Sequence, residues 1–296
     1  MTEIEGIVLK PIPFISCLFF GDYCMNNDEK EIYDLLESDA LDNARLSKDA
    51  FSVYNFEGRP VPRVTKIIDD VMNRDYLIRW AMSFRNYNIY LGQKDFITSV
   101  GTHVHEMIEH FLLTGLDKDI SYKKAPRQAP LIDRAYNNFK AWYDNLINSG
   151  YTMEIIDIEK PLFCPFYAGT CDCICKINGV YYIIDFKTSK KISYEYLLQL
   201  AAYTWIVNNG YTEYNFKIGG IGVIRVDKEK NQFEDLFLTS YNPTHNILIN
   251  KYIDGFFAIL KAYYYKIELE YDYNKYHRYY KGLISVLDEI DNKKDL

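Results

Sequence analysis

The chain has 296 residues, enough for one large domain or two small ones. Its hydrophobic content of 48% provides for a full core, and its formal net charge of −7 excludes a generally basic nucleic-acid coat. No stretch approaches the ~20 apolar residues that a membrane span needs. The run from Ile12 to Phe20 is short, contains Pro13 and follows an acidic start, so it does not read as a secretory signal. The expectation is an intracellular, cytoplasmic protein with reduced thiols at Cys17, Cys24, Cys164, Cys171, Cys173 and Cys175.

In chain order, residues 4–20 read as one or two strands broken by Pro11 and Pro13, and Asp28 to Asp49 as a charged helix. Phe51 to Phe56 reads as a strand with a turn at Glu57-Gly58-Arg59-Pro60. Short helices follow over Val64 to Met72 and Tyr76 to Arg85. A stronger helix runs from Thr98 to Leu113 and stops at Thr114-Gly115. Lys123, Lys124, Pro126 and Pro130 mark a connection, and Leu131 to Asn148 is helical up to Gly150. Strands are expected over 152–160, 163–176 and 180–187, then a helix from Tyr194 to Asn208 ended by Gly210. Phe216 to Arg225 and Gln232 to Thr239 read as two more strands, and Asn242 to about Asp291 as mostly helical. This order gives an α/β fold, a mixed central sheet flanked by helices with an N-terminal helical region. One compact unit is expected, with 1–150 mainly helical, 151–240 the sheet core and 241–296 C-terminal helices.

The most informative stretch is Ala168-Gly-Thr-Cys-Asp-Cys-Ile-Cys-Lys-Ile, then Asn178-Gly179, then Val180-Tyr-Tyr-Ile-Ile-Asp-Phe-Lys-Thr. Asn-Gly between two β-branched runs is a strong hairpin signal, a two-residue type I′ turn. The tight turn pairs Ile177 with Val180 and therefore places Asp172 opposite Asp185, in a non-hydrogen-bonded pair with Cα atoms ~4.5 Å apart. Lys187, two residues on, shares their face. Carboxylates ~5 Å apart repel by about 3 kcal/mol at an effective dielectric of 20, so positive charge belongs between them. A divalent cation suits an oxygen-ligand pair; Lys187 alone is the alternative. Cys171, Cys173 and Cys175 are expected on the opposite strand face as small hydrophobes. Neighbouring thiols on an extended strand do not converge, so no iron–sulfur cluster is expected.

Three more segments join this pair. Gly101-Thr-His-Val-His-Glu-Met-Ile-Glu sets His105 and Glu109 one helical turn apart on one face. Glu159 ends the strand before the hairpin. Gln199 and Tyr203 share a helical face. His105-Glu106 with Glu109-His110 also suggests a zinc-peptidase helix, but no histidine stands four residues after His105.

The ordered set G-x-x-x-H, E, G-x-x-D, D-F-K-T-S and Q-L-x-x-Y resembles the PD-(D/E)XK nuclease superfamily. It is most similar to the branch with the nuclease domain of bacterial recombination helicase-nucleases, phage exonucleases and the mitochondrial genome maintenance exonuclease. Pro62-Arg-Val-Thr-Lys-Ile-Ile is similar to a P-S-V-T-x-I-L element of the last group, and the motifs span about 62–203. The proline that usually precedes the first aspartate is absent; Gly169-Thr-Cys stands there.

The resemblance implies a restriction-endonuclease-like core and a Mg²⁺- or Mn²⁺-dependent, two-ion deoxyribonuclease. It casts Asp172, Asp185, the Phe186 carbonyl and His105 as metal ligands, and Lys187 as the group that orients or deprotonates the attacking water. Gln199 and Tyr203 would hold the Lys187 strand or the DNA backbone, and Thr188, Ser189 and Lys190 would meet phosphate. Glu109 and Glu159 are further candidates at the site. The expected substrate is DNA, single-stranded or with free ends, in replication, recombination or end processing. The alternatives are an endonuclease on the same core or a non-catalytic DNA-end-binding scaffold. The 28 tyrosines, with abundant Asn, Lys and Ile, fit an AT-rich genome, and with the resemblance point to a phage. Tyrosines mixed with Lys and Arg from Tyr263 to Lys281 would stack bases or pack as an amphipathic helix.

Overall fold

The computed structural model describes residue 30, which is helical, and residues 54–72, 75–118 and 127–277. The strands expected over 4–20, the rest of the helix expected from Asp28, Cys17, Cys24, the Lys123-Lys124 connection and everything after His277 lie outside the described residues.

A small hairpin comes first, β1 (Tyr54–Phe56) and β2 (Arg59–Val61), joined by Glu57 and Gly58, which both take positive φ. Helices α1 (Val64–Val71), α2 (Asp75–Met82), α3 (Tyr87–Thr114) and α4 (Ala129–Asn148) follow. Helix α3 begins eleven residues before the expected Thr98. Its first turns are exposed and carry no apolar periodicity. They are held by the Asn86 side chain, which accepts the Ile89 N–H at 3.0 Å, and by Tyr90 packed on Trp80 and Phe84. Gly115, left-handed at φ 71°, ends the helix.

Five strands form one sheet in the order β3 (Met153–Phe163), β4 (Ala168–Ile177), β5 (Val180–Lys187), β6 (Gly220–Val226) and β7 (Phe233–Thr239). All pairs are antiparallel except β5–β6, which α5 (Tyr194–Asn208) connects as a parallel crossover. Strand β3 continues through Pro161, where the sequence suggested a break, because β3 is an edge strand and a missing N–H is tolerated there. The chain turns instead at Cys164–Tyr167, where the Cys164 N–H donates to the Tyr167 carbonyl at 3.0 Å. β6 starts later than the expected Phe216, since that ring stacks on Tyr181 at 3.8 Å instead of entering the sheet.

Helices cover both faces. One core lies between the sheet and α1, α5 and α6 (Pro243–His277), around Ile67, Leu200, Ile206, Ile221, Phe256 and Leu260. The other lies between the sheet and α3 and α4, around Val104, Ile108, Phe139, Trp142, Ile184 and Phe186. The fold is thus a mixed α/β sandwich, consistent with a restriction-endonuclease-like core.

The Asn178-Gly179 turn has φ of 45° and 87°, and the register runs from Ile177 opposite Val180 to Cys173 opposite Ile184, as the turn predicts. The ladder ends there, one pair short of Asp172 and Asp185. The cysteines depart from the expected single face. Cys173 and Cys175 pack with α3 and α4, whereas Cys171 packs with α5 and α6. The change falls at Asp172, across from Glu159, whose φ of 47° is left-handed and interrupts the β3–β4 ladder.

Gly169, near the first aspartate of the hairpin, has a steric reason to be glycine. A Cβ built there would sit 2.6 Å from the Tyr203 hydroxyl and 2.7 Å from its ring. Because Tyr203 is buried, it cannot swing aside. Gly169→Ala is expected to lower unfolding free energy by about 1–3 kcal/mol through overpacking, seen as a lower urea midpoint at unchanged slope. An unshifted midpoint would show that Tyr203 yields.

Candidate functional site

The site forms where β4 and β5 stop pairing. Freed from the ladder, the Phe186 N–H donates to Asp172 Oδ2 at 2.9 Å, so a side chain takes the place of a strand partner and fixes the carboxylate. His105, from α3, brings Nδ1 within 3.5 Å of the same oxygen. Gly101 of α3 lies beside the strand end, where a Cβ would meet Thr188 Oγ1 at 3.4 Å. Glu159 arrives from β3. Ligand atoms of His105, Glu159 and Asp172 all lie within 4.8 Å of one another. These three, with Ile108, Glu109, Leu112, Ile158 and Phe186, line a cavity of about 10 Å³, the size of a single water or ion.

Asp185, expected as a ligand beside Asp172, is neither in this three-residue cluster nor in the cavity lining, although the charges of Asp172 and His105 act on it. It is 1% exposed; Oδ1 accepts from Lys187 Nζ at 2.6 Å, while Oδ2 is buried with no hydrogen-bond partner. A buried carboxylate oxygen without a donor costs about 1–3 kcal/mol or more, which a cation would offset. Burial pushes the Asp185 carboxyl up to about 6; Lys187 opposes this and the Asp172 charge adds to it. Glu159 is also raised, by burial and then by the Asp172 charge, although its side chain keeps exposed surface. Its backbone is left-handed, a conformation that costs of order 1–3 kcal/mol, and its place opposite Asp172 in the strand register sets it near His105.

A candidate cation site follows from these features: clustered carboxylates, raised affinity for protons, one unmatched oxygen, and an imidazole. Carboxylate oxygens with one imidazole nitrogen suit hard or borderline dications, and no thiol enters the set. The donor set therefore fits the expected metal.

Lys187 is held in its ammonium form. Burial works to lower its pKa, but Asp185 and Asp172 outweigh it, and the Tyr196 ring face lies 5.0 Å from Nζ. Gln199 and Tyr203 lie in the interior behind β4, joined at 3.3 Å, with Tyr203 against Gly169. That placement fits support of β4 better than contact with a substrate. The Ser189 hydroxyl donates to the Lys191 carbonyl at 2.9 Å within its own turn, and Lys190 is exposed. Phe186 contributes its ring to the α3–α4 core.

Two residues at the site escaped the sequence reading. Tyr196 sits three before Gln199 and seven before Tyr203, a helical spacing that could have revealed it. Arg225 is the lone charge in a fully buried strand and pairs across from Lys187.

The fold is that of a mixed α/β protein in which His105, Glu159 and Asp172 form a candidate cation site. No family model matches the chain. Subunit 5 of the chloroplastic NAD(P)H-quinone oxidoreductase of Draba nemorosa is 30% identical over 154 residues, covering 48% of this chain and 20% of that protein. The chain thus spans about a fifth of the length of that curated relative, and no helix among the described residues is long and apolar enough to cross a membrane. Among solved structures, the alkaline exonuclease LHK-Exo from Laribacter hongkongensis is 13% identical, over 80% of this chain and 97% of that one, with a TM-score of 0.31. LHK-Exo in complex with dAMP aligns over 60% and 86%, at 13% identity and a TM-score of 0.29. Similarity this low carries no functional argument, and the reading below rests on this chain's own residues.

Proposed function

We propose that the chain is a divalent-metal-dependent deoxyribonuclease that hydrolyses DNA phosphodiester bonds, a single-strand-preferring exonuclease of replication, recombination or end processing. The observation that carries it is the convergence of His105, Glu159 and Asp172 beside the buried, unmatched Asp185 Oδ2 and the Lys187 ammonium. The exonuclease and single-strand parts rest on the motif resemblance.

His105, Asp172 and Asp185 would hold Mg²⁺ or Mn²⁺, with Glu159 and Glu109 at the rim and the Phe186 carbonyl beside them. Bound there, the cation would supply positive charge to the non-bridging phosphate oxygens and acidify the attacking water. Lys187 projects its ammonium from the same strand end, where it orients the water and neutralises charge developing on the phosphorane oxygens. Its bonds to Asp185 and the Tyr196 ring favour that cationic role over proton abstraction. Thr188, Ser189 and Lys190 continue the strand toward the substrate. Because α3 supplies His105 to a site otherwise built on the 151–240 sheet, the chain acts as one unit.

The test is digestion of end-labelled single- and double-stranded linear DNA and of covalently closed circles, with Mg²⁺, Mn²⁺ or EDTA. Loss of linear DNA with circles spared, stopped by EDTA and restored by Mg²⁺ or Mn²⁺, is the expected result. Cut circles would make the enzyme an endonuclease. DNA bound but uncut under every condition would overturn hydrolysis and leave the scaffold, and rescue by zinc alone would point to other chemistry.

A further inference from the structure

Two loops meet beside Lys187, one following β5 and one joining β6 to β7. Arg225, 4% exposed, ties them together. Its Nη1 donates to the Ser189 carbonyl at 3.3 Å and to Asp227 Oδ2 at 3.1 Å, and its Nε to Glu234 Oε2 at 2.9 Å. The β6–β7 loop is unusually fixed for a hairpin tip, where mobility is the rule. Asp227 Oδ1 accepts the N–H groups of Glu229 and Lys230 at 2.8 and 2.9 Å, and Oδ2 also accepts from Gln232 Nε2 at 3.1 Å. From α4, the buried Asn138 amide donates to the carbonyls of Asp227 and Lys230, both at 2.7 Å, and Arg134 Nη1 to that of Lys228 at 3.4 Å.

This loop holds Lys228 half-buried, and the Arg225 bonds to the Ser189 carbonyl and to Asp227 set it beside the turn that carries Lys190. Burial lowers the Lys228 pKa; Glu229 and Asp227 oppose this, and the Lys190 charge adds to the lowering. Asp227 is occupied by its four donors, and neither lysine forms an ion pair among the described residues. Framework bonds that hold like charges together beside a phosphodiester-cleaving lysine create a place for an anion.

We propose that Lys190 and Lys228 form a phosphate subsite that takes a phosphodiester group of the substrate strand neighbouring the one attacked at Lys187, with Arg225 as the positioning residue. The location next to the attacked bond rests on the nuclease reading above; the anion site itself does not.

The test is fluorescence anisotropy of a labelled single-stranded oligonucleotide with the full chain in EDTA, across a salt series. Each single-strand phosphate contact contributes about 0.7 to the slope of log affinity against log salt. Lys228→Gln should reduce the slope by about that amount and the Lys190→Gln, Lys228→Gln pair by about twice it, while Lys251→Gln on exposed α6 leaves it unchanged. Arg225→Lys should match Lys228→Gln and add little to it, since both act through one contact; lower thermal stability without a slope change would leave Arg225 merely structural and overturn its positioning role. A single methylphosphonate walked along the strand should weaken wild type at one linkage, and that dip should vanish in Lys228→Gln. Unchanged slopes and an unchanged dip overturn the subsite even if wild type hydrolyses DNA. A changed slope in a protein that never cuts DNA upholds the subsite and overturns the nuclease reading. No binding by wild type overturns both.

Discussion

Asp185→Asn should yield a folded protein that binds DNA and cleaves it at least about 10³-fold more slowly, since a metal contributes several kcal/mol to such a transition state and each 1.36 kcal/mol is tenfold in rate. Asparagine matches the shape of Asp185, which is 1% exposed and packed at the end of β5, so the fold loses no volume. It removes the charge and the unmatched oxygen together. The decisive companion is thermal unfolding with and without Mn²⁺. A ligand at a hundredfold its dissociation constant stabilises by about 2.7 kcal/mol, so wild type should melt higher with Mn²⁺ and the variant should not. Without metal, the Asp185 proton itself makes stability depend on pH. With a folded pKa of about 6 against an ordinary 3.8, Asp185 holds its proton longer in the folded state. Its stabilising contribution is complete below 3.8 and is lost as pH rises through about 6. Metal-free wild type should lose stability across that window, and the asparagine variant should lose less. Retained hydrolysis, or an equal Mn²⁺ response, would remove Asp185 from the cation site.

The part of this site legible in sequence was the part built from local rules. Asn178-Gly179 dictated a type I′ turn, and the turn dictated five strand pairs, which is why Asp172 and Asp185 could be placed near each other before any coordinates. His105 and Glu109 followed from helical spacing, and both line the same small cavity. What could not be read depends on departures from regularity or on distant partners. The ladder stops one pair early because the Asp172 side chain captures the Phe186 N–H, and no periodicity signals that exchange. Glu159, a candidate from its place at the end of the preceding strand, stands opposite Asp172 in the β3–β4 register, but its left-handed backbone, which a glutamate rarely adopts, was not legible. The same irregularity sends Cys171 into a different core from Cys173, against the strict alternation assumed for an ideal strand. Arg225 acquires its role from Ser189, 36 residues earlier in the chain, and from a turn pinned by Asn138 on α4. Only the assembled sheet brings those groups together.

Lys187→Ala should lower turnover by about 10²–10⁴-fold, the range for losing a positioned proton-transfer or charge-stabilising group, yet keep the Mn²⁺-induced rise in melting temperature. That combination separates the two neighbours: Asp185 is assigned to hold the ion, Lys187 to act on water and phosphate. The ammonium is fixed by a 2.6 Å bond to Asp185 Oδ1 and by the Tyr196 ring at 5.0 Å, and its side chain keeps 21% exposure toward the opening. Alanine leaves Asp185 buried without its partner, and breaking one side of a buried ion pair costs about 3–5 kcal/mol. The metal-free variant should therefore be markedly less stable than wild type, with the deficit narrowing when Mn²⁺ supplies the missing charge. Lys187→Gln keeps a donor to Asp185 and should recover stability without turnover, which distinguishes a damaged fold from a damaged reaction. Lys187→Arg keeps the charge but sets a planar fork where a compact ammonium stood, so it should recover only part of the rate. If Lys187→Ala cleaved at the wild-type rate while folded and metal-loaded, Lys187 would have no catalytic part, and its bond to Asp185 would be structural.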